Sequence, residues 1–123
     1  MTPVMRQTVT ATAQGVWAWV LQRVTAVLLV IFLGTHLAVL HYIPANLTIN
    51  FIGVAARMKD VLYIVVDGGL LIIALYHALN GLRAVLFDFN FGPTGRRNIN
   101  IILWVLGVVF ALLGLYTLTA FFK

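Results

Sequence analysis

The sequence predicts an all-α integral membrane protein with three transmembrane helices that run up, down and up. Of its 123 residues, 63% are hydrophobic and only 9% are charged, whereas soluble domains carry roughly 25% charged residues. So few charges cannot cover a water-soluble globule. Three apolar runs reach the roughly 20 residues that cross a bilayer as a helix. They predict spans over residues 20–43, 61–87 and 98–122 of a single transmembrane domain.

The first span follows two interfacial tryptophans and ends at a proline. Trp17 and Trp19 precede an uncharged run that continues to Ile43, and Pro44 closes it. Tryptophans favour the membrane–water boundary, and a proline cannot continue a helix. The chain contains no cysteine, so it cannot ligate an iron–sulfur cluster or perform thiol chemistry.

A short surface helix is predicted between the first two spans. Residues 50–59 alternate apolar and polar side chains with a helical period, and Asn50 is a candidate cap. A turn from Gly92 to Gly95 then separates the second span from the third. Because the spans carry polar residues inside them, we expect the chain to form half of a larger helix bundle with a partner subunit.

Lysines and arginines predict the orientation. Five lie on one side of the spans and three on the other, which places the amino terminus in the cytoplasm. The five are Arg6, Arg23, Arg83, Arg96 and Arg97, and the three are Arg57, Lys59 and Lys123. Basic residues gathered at the ends of spans indicate membrane topology rather than a nucleic-acid site.

His77 is the most informative residue of the second span. An ionisable side chain at that depth is a functional-site hypothesis, and imidazole is a usual axial ligand of haem iron. Gly81, Ala84 and Asp88 lie within about 40° of His77 on a helix. This stripe of mainly small residues would let a flat macrocycle or another helix approach. The alternative is a histidine that is hydrogen-bonded to a neighbouring helix.

Arg23 opens the first apolar run. Depth counting places it near the cytoplasmic interface with Asp88, which lies roughly 16 Å along the helix from His77. A haem b needs imidazoles for its iron and cations for its propionates. A mid-membrane histidine with an arginine one haem length nearer the water meets both needs, because guanidinium binds carboxylate bidentately. The alternative is an arginine that snorkels to lipid phosphates.

The first span also carries His36, roughly 20 Å beyond Arg23 and in the middle or outer half of the membrane. Its helix face suits the wall of a macrocycle and a helix interface equally. That face contains Thr25, Leu29 and Phe32. His41 lies about 140° further round and is expected to be a polar anchor at the interface.

Asp67 is an acid inside the second span. A lone carboxyl group there must pair or take up a proton. The preferred interpretation is a structural pair, for which Lys59 and Arg57 lie on the same side, or a hydrogen-bonded neutral acid. A proton-handling role is the alternative.

These residues resemble a known family. Gln22-Arg23-Val24-Thr25-Ala26 is similar to the start of the first span in the small hydrophobic membrane anchor subunit of succinate dehydrogenase, the smaller, D-type anchor of cytochrome b type. His77-Ala-Leu-Asn-Gly81-Leu-Arg83, with Asp88 eleven residues after the histidine, resembles that family's second-span signature. Three spans and the chain length match as well, so the resemblance covers most of the chain.

The resemblance implies a subunit of a larger complex in a bacterial or archaeal cytoplasmic membrane. The implied partners are a second cytochrome b anchor subunit, an iron–sulfur subunit and a flavoprotein subunit, in a complex that can be trimeric. It also implies a haem b shared with the partner anchor. His77 would then be an axial ligand of the iron, the partner would supply the other ligand, and Arg23 would contact a propionate.

The sequence departs from the family at the quinone end. The residue after the aspartate is often a tyrosine whose hydroxyl meets the quinone carbonyl, and here it is Phe89. Asp88 could still orient a water or a partner residue beside a menaquinone or ubiquinone. Some family members carry a first-span histidine and bind two haems. His36 is therefore either a second haem ligand or a structural residue.

Three functions are compatible with these residues. The first is a non-catalytic anchor subunit that passes electrons from succinate, through its partners, to quinone. The second is a fumarate reductase anchor that works in the reverse direction. The third is a small proton- or ion-conducting membrane component without haem, which would use Asp67, His77 and Asp88. The chain has few polar positions with which to line a continuous pore, and this counts against the third.

Overall fold

The computed structural model describes residues 3–42, 50–89 and 91–120, with side chains described from residue 15 onward except at position 41. Three long helices carry most of the chain: α1 (Pro3–Leu37), α3 (Val61–Asp88) and α4 (Pro93–Ala120), with the short α2 (Phe51–Arg57) between the first two. Each long helix contains a stretch long and apolar enough to cross a membrane. The predicted all-α fold with three spans is confirmed.

The helix boundaries differ most from the predicted spans at the amino terminus. α1 begins at Pro3, although the first predicted span begins at residue 20. No glycine or other proline interrupts the chain between Pro3 and Gly15, and proline is favoured in the first turn of a helix. The same preference explains why α4 begins at Pro93 rather than at residue 98. The predicted ends at residues 43 and 121–122 lie outside the described residues.

The short helix α2 forms where it was predicted. Asn50 Oδ1 accepts a hydrogen bond from Gly53 N at 2.7 Å, so Asn50 is the cap that the sequence indicated. Asp60 does the same for α3, where its Oδ1 accepts from Leu62 N at 3.0 Å. Capped starts satisfy N–H groups that would otherwise lack a partner.

α1 ends in a π-helical turn that α2 holds in place. The turn spans Ala38–Tyr42. The guanidinium of Arg57, only 7% exposed, donates from Nη1 to Leu40 O at 2.9 Å and from Nε to Gly53 O at 3.2 Å. The bond to Leu40 ties α2 to the end of α1, and the bond to Gly53 holds the guanidinium against its own helix. The predicted role of His41 as a polar anchor lies outside the described side chains.

α3 is the central helix, and α1 and α4 both pack against it. Two glycines of these interfaces permit close approach. A β-carbon at Gly69 would overlap the ring of Phe32, and one at Gly114 would overlap the side chain of Leu71. Small residues are the usual means by which membrane helices approach each other closely.

Most of the apolar surface is left open. Among the described residues, the buried apolar side chains are Met58, Val66 and Leu103, whereas Trp104 is 75% exposed. An apolar surface that large is stable only against lipid or against the helices of another subunit. It is the surface expected of a membrane protein that forms part of a larger bundle.

Candidate functional site: a hydrogen-bonded histidine between two spans

His77 lies in the body of α3, half-buried against α1. Two side chains of α1 reach its ring. Thr25 Oγ1 lies 3.1 Å from His77 Nδ1, and Gln22 Nε2 lies 3.3 Å from His77 Nε2. Gln22 Nε2 also donates to the backbone carbonyl of His77 at 3.2 Å. Both ring nitrogens of His77 therefore face α1 of the same chain.

Asn80 extends this network by one helical turn. Its Nδ2 donates to Gln22 Oε1 at 2.8 Å and to Ala18 O at 3.0 Å. We call Gln22, Thr25, His77 and Asn80 the histidine network. Its members satisfy one another's polar groups within apolar spans, where an unsatisfied group is costly.

The stripe that follows His77 on α3, formed by Gly81, Ala84 and Asp88, lies in two different environments. A β-carbon at Gly81 would lie 3.2 Å from Gln22 Nε2, so this glycine makes room for a side chain of α1. Ala84 and Asp88 are exposed. The sequence left open whether a macrocycle or another helix approaches this stripe. At Gly81 it is another helix, α1 of the same chain.

Arg23 lies closer to the level of His77 than the sequence suggested. Because Gln22 and Thr25 both contact His77, the backbone of Arg23 between them lies near the level of His77 rather than one haem length away, and only its side chain extends beyond that level. The sequence-based prediction treated Arg23 as the start of the span, whereas the apolar stretch Gly15–Leu40 extends on both sides of it. Arg23 itself is exposed, and its Cζ lies 5.0 Å from the ring centroid of Trp19. Its guanidinium therefore points about one turn toward the amino terminus of α1.

His36 and Asp67 form a second polar contact between α1 and α3. His36 Nδ1 lies 2.6 Å from Asp67 Oδ1, and the side chains are 27% and 13% exposed. The face of α1 that carries His36 and Phe32 thus packs on α3. Asp67 lies ten residues before His77 in α3, so the two histidine sites are about 15 Å apart along the helix axis.

Asp67 was expected to pair, and it does, but the suggested partners were wrong. Arg57 binds the carbonyl groups of Leu40 and Gly53 instead, and Lys59 is exposed. The sequence separation between His36 and Asp67 concealed their contact, which depends on the register of α1 against α3.

Basic and aromatic residues gather where α3 ends and α4 begins. Arg83 Nε donates to Asn100 Oδ1 at 2.7 Å, and the Cζ atoms of Arg83 and Arg96 lie 4.5 and 5.3 Å from the Phe87 ring centroid. Asp88 is exposed at the last position of α3. Phe89 follows as the helix cap, with its ring centroid 6.4 Å from that of Phe91. The exposed carboxylate of Asp88 thus follows directly after Phe87, the ring that both cations contact.

An apolar groove of about 600 Å³ runs between α3 and α4. Its polar groups come mainly from three side chains near one end, namely Asn80, Arg83 and Asn100. Asn80 also belongs to the histidine network, so the groove and the network share one wall.

Comparison with known proteins identifies the family. Residues 3–116 match the family of succinate dehydrogenase/fumarate reductase transmembrane subunits. The chain belongs to this family. It is therefore a multi-pass transmembrane subunit of a succinate dehydrogenase or fumarate reductase complex. Its partners are the membrane and the other subunits of that complex. The resemblance to the succinate dehydrogenase membrane anchor is confirmed at the level of the family, whereas the assignment to the smaller, D-type anchor stays a prediction.

Individual relatives are also membrane subunits of succinate dehydrogenase. The chain is 35% identical to the succinate dehydrogenase 2 membrane subunit SdhC of Mycobacterium tuberculosis over 80% of this chain and 71% of that one. It is 30% identical to the succinate dehydrogenase hydrophobic membrane anchor subunit of Archaeoglobus fulgidus, over 85% and 80%. The corresponding subunit of Thermoplasma acidophilum is 30% identical over 76% of each chain. No solved structure matches the chain significantly.

Sequence reasoning missed two members of the histidine network. Gln22 was noticed only as part of the family's first-span motif, and Asn80 was not singled out at all. Both are amides inside or beside apolar spans. Such groups require hydrogen-bond partners, so their position could have marked them as members of a polar contact between helices. Thr25 was placed on the face of His36, which is correct, but its contact with His77 was not foreseen.

Proposed function

We propose that this chain binds haem b and helps to form the quinone site of a succinate:quinone oxidoreductase, where it passes electrons from the iron–sulfur subunit to quinone. The observation that carries the proposal is the position of His77. Its imidazole lies within a membrane span, and a second helix of the same chain holds its Nδ1. A ligating histidine in a protein is usually held in this way at its other ring nitrogen.

The residues around His77 fit a haem. Nε2 contacts the terminal amide of Gln22, which belongs to a flexible side chain that can turn aside. This chain would supply one axial imidazole, and the partner anchor subunit would supply the other. The bound haem would supply a one-electron iron couple, and its burial and ligands set the potential. The protein would hold, orient and shield it.

Arg23 is the proposed partner of a haem propionate. It follows Gln22 directly in α1, and its guanidinium lies over the Trp19 ring, toward the amino-terminal end of the helix. A carboxylate on that side of His77 could be bound by both guanidinium nitrogens. The indole ring would limit the freedom of the cation and so lower the entropic cost of holding it there.

We extend the proposal to His36 as a ligand of a second haem. Asp67 holds its Nδ1 at 2.6 Å, and a carboxylate in that position fixes the ring and raises the basicity of a ligating histidine. The separation of about 15 Å along the helices would place one haem in each half of the membrane.

The quinone is proposed to bind near Asp88 and Phe89. Phe89 offers ring contacts only, so a hydrogen bond to the quinone carbonyl comes from a partner subunit or from water held by Asp88. The cations Arg83 and Arg96 nearby would stabilise the negative charge that develops on a quinone as it is reduced. Menaquinone and ubiquinone both suit this description.

The proposed surroundings are those of an electron-transfer complex. The amino terminus is cytoplasmic, and the iron–sulfur and flavoprotein subunits dock on that side. A second cytochrome b anchor subunit completes the bundle, and the complex can be trimeric. The relatives reported above are named after succinate dehydrogenase, which favours succinate oxidation over fumarate reduction.

A reduced-minus-oxidised optical spectrum of the purified complex tests the proposal. A haem b band is expected, with intensity that depends on His77. A complex of full composition without that band would identify a haemless anchor, or the alternative of a proton- or ion-conducting component.

A further inference from the structure

The histidine network ends on two backbone carbonyl groups of α1, and its hydrogen bonds lead away from Asn80 toward both. At one end, Ala18 O accepts from Asn80 Nδ2 at 3.0 Å. At the other, Leu21 O accepts from the Thr25 hydroxyl at 2.7 Å. A carbonyl oxygen only accepts, so the two ends fix which side-chain atoms donate. The donor and acceptor roles of the groups between them, including the two ring nitrogens of His77, are then determined.

The end at Ala18 fixes the proton state of His77 Nε2. Asn80 Nδ2 donates to Ala18 O and also to Gln22 Oε1 at 2.8 Å, so the oxygen of the Gln22 amide is turned toward Asn80. The nitrogen of that amide therefore faces His77, 3.2 Å from its carbonyl oxygen and 3.3 Å from Nε2. An amide nitrogen only donates. His77 Nε2 is thus an acceptor without hydrogen.

The end at Leu21 fixes Nδ1 independently. The Thr25 hydroxyl has one hydrogen, which points to the carbonyl of the preceding turn. Toward His77 Nδ1, 3.1 Å away, the hydroxyl can only accept. Nδ1 therefore carries the hydrogen. Both ends give the same neutral tautomer, with hydrogen on Nδ1 and a lone pair on Nε2.

We propose that Thr25 is a positioning residue that holds His77 in the tautomer whose Nε2 can ligate haem iron, and that Gln22 covers this lone pair in the haem-free chain. The ligand role rests on the proposed function, whereas the tautomer does not. Thr25 is only 8% exposed, so water does not replace it readily as the acceptor. The amide of Gln22 must move away before iron can bind.

The tautomer is tested without haem. Nitrogen-15 NMR of the histidine-labelled, haem-free full chain in lipid nanodiscs distinguishes a protonated ring nitrogen from an unprotonated one. The expected wild-type result is a single tautomer of His77 with hydrogen on Nδ1. Thr25→Val removes the acceptor at nearly constant volume and should populate the other tautomer, while Thr25→Ser should restore the first.

Thr35→Val is the matched control. Thr35 makes the same bond to the preceding turn, to Ile31 O at 2.8 Å, but lies about 15 Å along α1 from Thr25. This variant should leave the spectrum of His77 unchanged. Gln22→Met separates the two assigned roles, because it removes the cover and leaves Thr25 in place, so the hydrogen should stay on Nδ1. Hydrogen on Nε2 in the wild type, or a Thr25→Val spectrum identical to it, overturns the assignment to Thr25.

The ligand role is tested in the purified complex. Loss of a partner of a ligating histidine typically weakens metal binding about 10- to 100-fold, so Thr25→Val should lose haem at correspondingly lower competitor concentrations. The haem potential should rise, since the imidazole becomes a weaker donor to oxidised iron. Thr25→Ser should reverse both effects. Unchanged affinity and potential in Thr25→Val would overturn the ligand role. A wild-type complex without haem would overturn the proposed function while the NMR result stands.

Discussion

His36 and Asp67 join α1 to α3 through a contact of 2.6 Å between Nδ1 and Oδ1. It lies on one side of an apolar contact between the same helices, in which the Phe32 ring covers Gly69, and the histidine network lies on the other side. Within that network, Thr25 contacts His77. A shift of α1 by one turn would break both polar contacts in apolar surroundings, at a cost of about 1–3 kcal/mol per unsatisfied group. Polar pairs thus set the register of these two spans.

The first prediction is that His36 and Asp67 are energetically coupled. His36→Ala and Asp67→Ala should each destabilise the chain, and the double variant should be less destabilised than the sum, by about 1–2 kcal/mol. The measurement is a double-mutant cycle of unfolding in mixed micelles. Additive effects would mean that the contact contributes nothing to stability.

The second prediction concerns the number of haems. Chemical quantification should give about two haems per protomer, one for each histidine site, and about one in His36→Ala. Asp67→Asn is the companion variant, because it keeps the size of the side chain and weakens the hold on Nδ1. A single haem in the unmodified complex would make His36 a structural residue.

The third prediction concerns His77. Replacement by Ala removes the proposed ligand and leaves Thr25 and Gln22 without their partner, so the b-type absorption should disappear or become high-spin while assembly is partly retained. Tyr76→Phe changes the neighbouring residue of α3 and serves as the control. The ligand assignment fails if His77→Ala keeps an unchanged low-spin spectrum.

The fourth prediction concerns Arg23. Arg23→Leu would leave a propionate without its cation in a medium of low dielectric constant, which favours the oxidised, more positive iron. The haem potential should therefore fall, and Arg23→Lys should be intermediate because it loses the bidentate geometry. Arg97→Leu removes an exposed charge from the start of α4 and controls for net charge. Potentials that ignore both Arg23 changes would instead indicate an arginine bound to lipid phosphate.

The fifth prediction concerns the quinone end. Asp88→Ala should lower quinone reductase activity more than activity with an artificial dye that takes electrons upstream. Asp88 is exposed at the last position of α3, so the change should disturb packing little. Asp88→Asn, which can still hold a water, should retain more activity than Asp88→Ala. If both activities fall equally, the defect lies in assembly and the quinone role is withdrawn.

The spans and the cap at Asn50 were predictable because each depends on local sequence. Apolar length sets a span, and a capping side chain binds within its own first turn. The level of Arg23 was not predictable in this way. It depends on where α1 begins relative to the span, and the residues between Pro3 and Gly15, many of them threonine or alanine, gave no sign that the helix continues to Pro3.

The candidate site was predicted in part for a related reason. His77 and His36 stand out because an ionisable group in an apolar span is unusual. Their partners Thr25, Gln22 and Asp67 lie on the opposing helix, at distances set by the register between α1 and α3. One sequence specifies that register only through the sum of many contacts, so pairing across the interface could not be derived from the pattern of either span alone.

The central position of α3 also bears on biogenesis. α3 is the middle span in the chain as well as in the packing, so every major interface joins spans that are consecutive in sequence. Spans delivered to the membrane in order can thus dock as they arrive, α3 onto α1 and then α4 onto α3, without exchanging partners. Neighbouring contacts of this kind are quick to form, because little chain entropy is lost in closing them. Each span can therefore pack on the one inserted just before it.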